Sequence, residues 1–153
     1  MYCQETKSIM ERRLYGKDLN HHHTYYGGQI ASDIDTTCSI AAEKFCQTDT
    51  MTASIDRLDF QNPAYEGDMI RIEAFVTGSH HRSFEVFAKV TATHQHHSLV
   101  VATAFMTFVI LDKQAKAPHI EGETAFEKQL CESYEQRYEW NHIYRHHYKE
   151  FIS

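Results

Sequence analysis

The chain has little positive charge and no long apolar run. It carries 15 lysine and arginine residues against 21 acidic residues, for a formal charge of −6. This balance argues against nucleic acid as a partner, because phosphate binding requires a basic surface. No apolar run approaches the roughly 20 residues that span a bilayer, and the first residues lack the apolar segment of a signal peptide. We therefore expect a cytoplasmic protein with no membrane partner.

Paired cysteines and metal motifs are also missing. The four cysteines, Cys3, Cys38, Cys46 and Cys131, form no C-x-x-C pair and their spacing suggests neither a zinc site nor a disulfide framework. Cys38 and Cys46 fall in a predicted helix, where buried, reduced thiols are expected and agree with the cytoplasm. The twelve histidines include no His-Glu-x-x-His frame. We predict no metal and no cofactor.

One long helix is predicted from about residue 27 to residue 45 or 46. The whole chain of 153 residues, 42% hydrophobic and 24% charged, has the composition of one globular domain. Apolar residues recur at helical spacing on a stripe formed by Ile30, Ala31, Ile34, Cys38, Ala41, Ala42 and Phe45. The stripe is wider than one sheet contact requires, which favours a sheet that curls around the helix. Asp35 projects onto the border of the stripe and Asp33 points well away from it.

Alternating patterns predict strands on both sides of this helix. They cover residues 7–15, 50–60, 69–76, 83–90 and 99–111. The last of them is apolar on both faces, which indicates a central strand or one at a subunit interface. Short turns between the later strands predict antiparallel pairing.

The predicted fold class is α+β, one antiparallel sheet wrapped around one long central helix, plus a C-terminal helix. Residues 1–122 form a single domain and residues 123–153 a helical tail with a weak apolar stripe. This tail is expected to pack on a neighbouring subunit or to extend into solvent.

The most informative segment joins a polar loop to the start of the helix. Asp18 and Asn20 lie in the loop, and Gly27 and Gly28 open the helix. A helix N-terminus offers unpaired N–H groups and a positive dipole end, so the Gly28 N–H is a candidate donor to a developing oxyanion. Asp35, two turns into the helix, is a candidate for activating water. These parts suffice to hydrolyse an ester or thioester without a metal. The structural alternatives are a simple Gly-Gly turn and an exposed or ion-paired aspartate.

Five segments in chain order carry a family resemblance. The first reads Asp-x-Asn-x6-Gly-Gly-x6-Asp and ends at Asp35, and the others are residues 51–60, 65–68, 82–86 and 105–112. Together they resemble the hotdog-fold acyl-CoA thioesterases, in particular the bacterial acyl-CoA hydrolases related to the brain cytosolic acyl-CoA hydrolase of mammals. Two places depart from the family pattern. His23 stands where the family usually has glycine, and residues 79–83 read Ser-His-His-Arg-Ser where it has Thr-Gly-Arg-Thr-Ser.

The resemblance implies hydrolysis of acyl-CoA to free coenzyme A and a carboxylic acid. Asp35 is then the general base or nucleophile, and the Gly28 N–H polarises the thioester carbonyl. Asn20 is expected to hold the attacking water or the carbonyl, facing the Asp35 of the other subunit. The family joins two subunits by their sheet edges, with active sites at the dimer interface, and its dimers commonly form trimers.

Coenzyme A carries phosphates, so this acidic chain needs local cations to bind it. The candidate contacts are Gly27, which permits close approach, and Arg82, His81, Ser83 and Arg57 near strand ends. Solvated surface charge is an equally good interpretation of the basic side chains.

Two other functions stay open on the sequence. One is a non-catalytic acyl-CoA-binding or sensing protein on the same fold. The other is a hotdog hydratase or dehydratase, which requires a catalytic histidine paired with an acid, with His21 or His22 as candidates. Because His21, His22 and His23 are consecutive, their side chains diverge, and we expect them at the edge of the loop. A serine hydrolase is not indicated, since no Gly-x-Ser-x-Gly motif is present.

Overall fold

A computed structural model describes residues 1–152 as one curled antiparallel sheet and four helices. The strands are β1 (Ser8–Arg13), β2 (Thr50–Phe60), β3 (Met69–His80), β4 (Ser83–His94) and β5 (His97–Ile110), in the order β1-β3-β4-β5-β2. The helices are α1 (Cys3–Thr6), α2 (Gly27–Cys46), α3 (Ala125–Glu132) and α4 (Tyr134–Ile152), with a 3-10 turn at Gly16–Asp18. The predicted α+β class, all five strands and the long helix are confirmed. β3 extends past residue 76 because it pairs with β4 up to the hairpin, and β4 extends past residue 90 because its last residues pair with β3 and β5.

α2 lies in the concave face of the sheet and contacts all five strands. Its buried side chains are Ile30, Asp33, Ile34, Thr37, Cys38, Ala41, Ala42 and Phe45. They meet the inward-facing residues of β3 and β4, among them Ile70, Ile72, Val76, Phe84 and Val86. The curled sheet inferred from the width of the apolar stripe is therefore confirmed, as is the burial of Cys38. β5 lies between β4 and β2, which confirms it as an inner strand.

Asp33 is buried, so the prediction that it points away from the packed side of the helix is wrong. Arg12 of β1 reaches across and places Nη2 at 2.8 Å from Asp33 Oδ2. Gln29 donates to Oδ1 at 3.0 Å and the Tyr25 hydroxyl donates to Oδ2. Helical periodicity predicts only where a residue lies relative to the apolar stripe of its own helix. It does not show that side chains from other elements form a polar cluster beside that stripe. A buried carboxylate is tolerated there because its charge is paired.

The C-terminal tail forms two helices, not one, and its first part packs on the convex face of its own sheet. In α3, Phe126 lies 5.5 Å from Phe87 between ring centroids. In α4, Arg137 forms a 2.8 Å ion pair with Glu85, whose side chain is only 2% exposed. The weak apolar stripe did not predict this packing, because an ion pair and single aromatic side chains make the contact. None of the helices within residues 1–152 is long and apolar enough to cross a membrane.

Candidate active site

Asp35 lies on the side of α2 that faces the edge strand β2. Its Oδ1 accepts a 2.7 Å hydrogen bond from the Thr52 hydroxyl, and its side chain is half-buried. Thr52 pairs with the core residue Phe108 of β5, which turns its hydroxyl toward the helix. Sequence reasoning did not single out Thr52. The sequence could have indicated Thr52 as a hydroxyl residue at a strand position that faces inward. A register shift between Thr52 and Ser54 interrupts the alternation of inward and outward residues there.

Gly27 and Gly28 form the first turn of α2 beside the far end of β2. A Cβ at Gly27 would lie 3.4 Å from the Phe60 ring, so the glycine permits the strand end to approach the helix closely. Within residues 1–152 the N–H groups of Gly27 and Gly28 donate to no acceptor of the chain, as expected at a helix N-terminus. Gly28 is exposed. Its N–H is therefore available to an oxygen atom from outside the chain.

Asn20 closes the loop that precedes α2. Its Oδ1 accepts from the backbone N–H of His22 at 2.9 Å and of Thr24 at 3.2 Å, and its amide donates to the Thr24 hydroxyl at 3.0 Å. In the described part of the chain, the second N–H of this amide has no acceptor. The side chain thus makes the loop turn and still retains one donor for a ligand.

A cavity of about 370 Å³ opens between this loop, the start of α2 and the end of β2. Its apolar lining comes from Tyr25, Ile30, Phe60, Pro63, Ala64 and Val101, with Asn20 and Asn62 among its polar groups. An apolar cleft with a few polar groups is the usual form of a small-molecule site.

A buried ion cluster supports the loop from below. Arg12 Nη1 lies 2.9 Å from Asp18 Oδ2, and the same oxygen accepts the Tyr15 N–H at 2.9 Å. The Arg12 guanidinium lowers the pKa of Asp18 below its usual range. Burial, with the hydrogen bond to Asp33, raises the pKa of Tyr25, so this hydroxyl stays protonated and donates. The cluster ties the loop to both β1 and α2.

The predicted coenzyme A contacts fall on two faces of the sheet. His81, Arg82 and Ser83 form the β3–β4 hairpin, where Arg82 donates to the Ile110 carbonyl at 3.0 Å at the end of β5. Arg57 lies elsewhere, on the convex face of β2, paired with Asp59 at 2.6 Å. The hairpin is only two β5 positions, about 7 Å, from the partner of Thr52. Residues 81–83 therefore lie at the same end of the sheet as Thr52, and Arg57 lies on the opposite face of the sheet from Asp35.

These residues form two groups within one chain. The carboxylate half-site comprises Asp35, Thr52 and the hairpin residues 81–83, and the loop half-site comprises Asn20, Gly27, Gly28 and Phe60. Seven residues of helix, about 10 Å, separate Gly28 from Asp35. Reacting atoms must approach within about 3 Å. Within one chain the two groups therefore lie apart along α2 and toward opposite ends of β2.

The histidine-rich loop assembles no histidine–carboxylate pair. His21 and His22 are exposed and contact each other at 3.9 Å between ring centroids. Among residues 1–152, the ion pairs formed by histidine involve only His94 and His119. No three potential metal ligands converge anywhere in the same residues. The absence of a metal or cofactor in the working protein stays a prediction.

Known proteins match this chain in sequence over most of its length. Residues 22–98 match the thioesterase superfamily. An uncharacterized acyl-CoA thioester hydrolase of Bacillus subtilis is 37% identical over 141 residues, which are 89% of this chain and 82% of that protein.

Solved structures of acyl-CoA hydrolases match the fold. The acyl-CoA hydrolase of Staphylococcus aureus, in complex with butyryl coenzyme A, coenzyme A and coenzyme A disulfide, has a TM-score of 0.93 at 29% identity, covering 99% of this chain and 96% of that one. The same hydrolase has been solved with an aspartate, a threonine and an asparagine each changed to alanine. An apo-hexameric acyl-CoA thioesterase has a TM-score of 0.89 at 30% identity, covering 95% of this chain and 96% of that one.

Proposed function

The chain belongs to the thioesterase superfamily, and on that premise we propose that it hydrolyses acyl-CoA to coenzyme A and a carboxylic acid. The observation that carries the proposal is the Asp35 carboxylate, fixed by Thr52 at 2.7 Å beside a free sheet edge. A carboxylate held by one oxygen leaves the other oxygen for a proton or for an electrophilic carbon. The Staphylococcus aureus hydrolase, solved with butyryl coenzyme A, supports the same substrate class.

In the proposed reaction, Asp35 acts on the thioester from one side and a helix N-terminus acts from the other. As general base, the carboxylate takes a proton from water, and the water oxygen attacks the carbonyl carbon. As nucleophile, it attacks the carbon itself, and water then opens the resulting anhydride. In both routes negative charge develops on the carbonyl oxygen, where the Gly28 N–H donates. When the tetrahedral intermediate collapses the C–S bond breaks, which gives the acid on the base route and the anhydride, still to be opened by water, on the nucleophile route. The coenzyme A thiolate leaves in this step and takes up a proton.

Residue spacing in the Staphylococcus aureus hydrolase supports this assignment. The asparagine, aspartate and threonine changed there are fifteen and seventeen residues apart in that order. Asn20, Asp35 and Thr52 have the same separations here. We assign Asn20 to binding of the carbonyl or the attacking water through its remaining amide N–H, and Thr52 to orienting the carboxylate.

The geometry of the sheet edges supports a dimer formed through β2. β1 has six residues and carries Glu11, Arg12 and Arg13, which protect an edge from pairing. β2 has eleven residues and exposes the apolar side chains of Met51 and Ile55, at 58% and 47% exposure. β2 also carries Asp56, Arg57 and Asp59, so its length and its exposed apolar side chains at the Met51 end make it the better template for pairing with a second chain.

A two-fold axis at this edge brings the two half-sites together. Antiparallel pairing of two β2 strands places the Thr52 end of one against the Phe60 end of the other. Thr52 contacts Asp35, and Phe60 lies beside Gly27. The carboxylate half-site of each copy therefore meets the loop half-site of its partner, giving two composite active sites per dimer. The hexameric relative supports the further assembly of three such dimers.

The β3–β4 hairpin then adjoins the composite site from the carboxylate side. Arg82, with His81 and Ser83, is our choice for contacts to coenzyme A, and the apolar cavity beside Phe60 receives the acyl chain. No observation favours a hydratase, since neither His21 nor His22 is paired with an acid in the described residues. The cytoplasmic location stays a prediction.

A chain-mixing experiment tests hydrolysis and the shared site together. Asp35→Asn and Asn20→Ala are each expected to lower thiol release from acyl-CoA, followed with Ellman's reagent, at least a hundredfold. When the two variants are unfolded together and refolded, half of the dimers are mixed. Each mixed dimer has one intact composite site, so about a quarter of the wild-type rate returns.

The controls are each variant refolded alone, which must stay inactive. If wild type releases no thiol from any acyl-CoA, short or long, while still binding it, the sensor function replaces the hydrolase. If wild type is active but mixing restores nothing, each chain holds a complete site and the composite arrangement is wrong.

A further inference from the structure

Two cysteines from opposite ends of the chain meet beside β3. Cys3 lies in α1 and Cys131 lies in α3, and their Sγ atoms are 3.5 Å apart. Cys3 is fully buried, whereas Cys131 is partly exposed. Because the two residues are 128 positions apart, no local spacing in the sequence indicates that their sulfur atoms are neighbours.

The backbone around both cysteines is held in place. The Cys3 N–H donates to the Glu121 carbonyl at 2.9 Å, and the Gln4 side-chain amide donates to Glu127, one turn before Cys131. These contacts fix α1 against the start of α3. A disulfide bond is about 2.05 Å long, so closure requires the sulfur atoms to approach by about 1.5 Å from their 3.5 Å contact.

The two thiols differ in how readily they ionise. The hydrogen bond with Cys3, aided by the positive charge of Arg137, lowers the pKa of the Cys131 thiol against the opposing effect of burial. The hydrogen bond with Cys131, together with burial, raises the pKa of the Cys3 thiol. The thiolate is the nucleophile in thiol–disulfide exchange. Cys131, which is also the more accessible of the two, therefore attacks first, and Cys3 is placed to react second.

We propose that Cys3 and Cys131 form a redox-sensitive modification site whose oxidant is a low-molecular-weight disulfide. The Cys131 thiolate attacks one sulfur atom of the reagent, which forms a mixed disulfide and releases one thiolate. The Cys3 sulfur then attacks the Cys131 sulfur, and the second thiolate of the reagent leaves and takes up the Cys3 proton. In total the protein loses two hydrogen atoms, and the reagent is reduced to two thiols.

The new bond ties the N-terminal segment to α3. In a reducing compartment both cysteines stay thiols, so the bond forms only under oxidising conditions. It constrains the unfolded chain, and the oxidised protein is expected to melt about 5–10 °C above the reduced protein. The pair lies beside β3, three strands from the β2 edge of the proposed active site. The inference therefore does not depend on the proposed function.

The test is peptide mapping of the full chain after incubation with oxidised glutathione. Free thiols are alkylated before digestion, and trypsin then cleaves after Lys7, Lys128 and Arg137. A Cys3–Cys131 bond joins peptide 1–7 to peptide 129–137, each of which contains one cysteine. We expect this cross-linked pair in wild type and its loss after treatment with dithiothreitol.

Serine variants separate the two steps of the exchange. In Cys3→Ser the second step is blocked, so Cys131 is expected to retain glutathione as a mixed disulfide. In Cys131→Ser the buried Cys3 is expected to carry neither glutathione nor a cross-link. Cys46→Ser is the matched control, because Cys46 is also half-buried but lies on α2. It is expected to form the same cross-link as wild type.

Three results would overturn the proposal. The first is no cross-linked peptide from wild type in oxidised glutathione. The second is Cys3→Ser protein that carries as much glutathione on Cys46 as on Cys131, which would reduce Cys131 to an ordinary accessible thiol. The third is an oxidised protein that melts, by circular dichroism, no higher than the reduced protein.

Discussion

The two half-sites are supported in opposite ways. The carboxylate half-site carries Asp35, its proposed catalytic side chain, on the middle of a regular helix, and one hydrogen bond from Thr52 completes its support. The loop half-site presents Asn20 and the Gly28 N–H from a connecting segment. That segment is held by Arg12, which bridges the buried carboxylates of Asp18 and Asp33.

The difference follows from what each half-site must position. A helix fixes the backbone of Asp35 through its own hydrogen bonds, so only the rotamer of the side chain needs a partner. A loop has no such ladder and is more mobile. Backbone donors at its end keep a fixed direction only if tertiary contacts hold it, and here charged side chains in the interior do so.

The ion pairs of Arg12 with Asp18 and Asp33 brace the loop half-site, and removing them is expected to have the largest energetic effect. Arg12→Ala leaves two buried carboxylates without a counter-charge and should lower the free energy of unfolding by about 3–5 kcal/mol at pH 7. Urea unfolding measures it. The matched control is Arg71→Ala, because Arg71 also pairs with two carboxylates, Glu11 and Glu73, but at the surface. For this surface arginine the expected loss of unfolding free energy is about 0–1 kcal/mol. Equal losses in the two variants would contradict the bracing role of Arg12.

The same ion pairs also predict how the stability of the fold depends on pH. The folded pKa of Asp18 is lowered, so its pairing with Arg12 contributes fully above the unfolded pKa, about 3.9. That contribution is lost as the pH falls through the lower folded value. The stability difference between wild type and Arg12→Ala should therefore shrink below about pH 4. A stability difference between wild type and Arg12→Ala that grows as the pH falls would contradict this expectation.

Removing a backbone donor from the loop half-site is the next largest change. Gly28→Pro deletes the N–H in the first helical turn, where proline is tolerated, and should lower kcat about 10²–10³-fold. Gly28→Ala is the matched control. It keeps the N–H, and its Cβ meets the same Tyr26 ring, 2.6 Å away at Cε1, which is exposed and free to turn. Similar losses in both variants would assign the effect to crowding instead of to the donor.

The smallest effect is expected at the support of the carboxylate half-site. Thr52→Val removes the hydroxyl that orients Asp35 and keeps the shape of the side chain. We expect kcat to fall about tenfold, the equivalent of one hydrogen bond to a charged group. Thr52→Ser restores the donor and should recover most of the rate. A Thr52→Val variant as active as wild type would remove Thr52 from the site.

Much of the fold followed from local patterns in the sequence. The helical stripe predicted the length and the buried face of α2, and alternation, only partial in β2, located β2, β3 and β4. Asp35 and the Gly-Gly pair were recognised because a helix start and its spacing are local properties. Thr52 and the burial of Asp33 were not recognised, because the first depends on a strand seventeen residues further on and the second on a side chain of β1.

The helices, the strands and the start of α2 follow from local patterns, because backbone geometry imposes periods of 3.6 and 2 on nearby residues. The tertiary structure shows that Arg12 pairs with Asp18 of the loop, that Thr52 donates to Asp35 and that the two proposed half-sites lie toward opposite ends of β2. Those outcomes depend on strand order, register and the free edge of β2. They join residues whose separation along the chain carries no periodic signal.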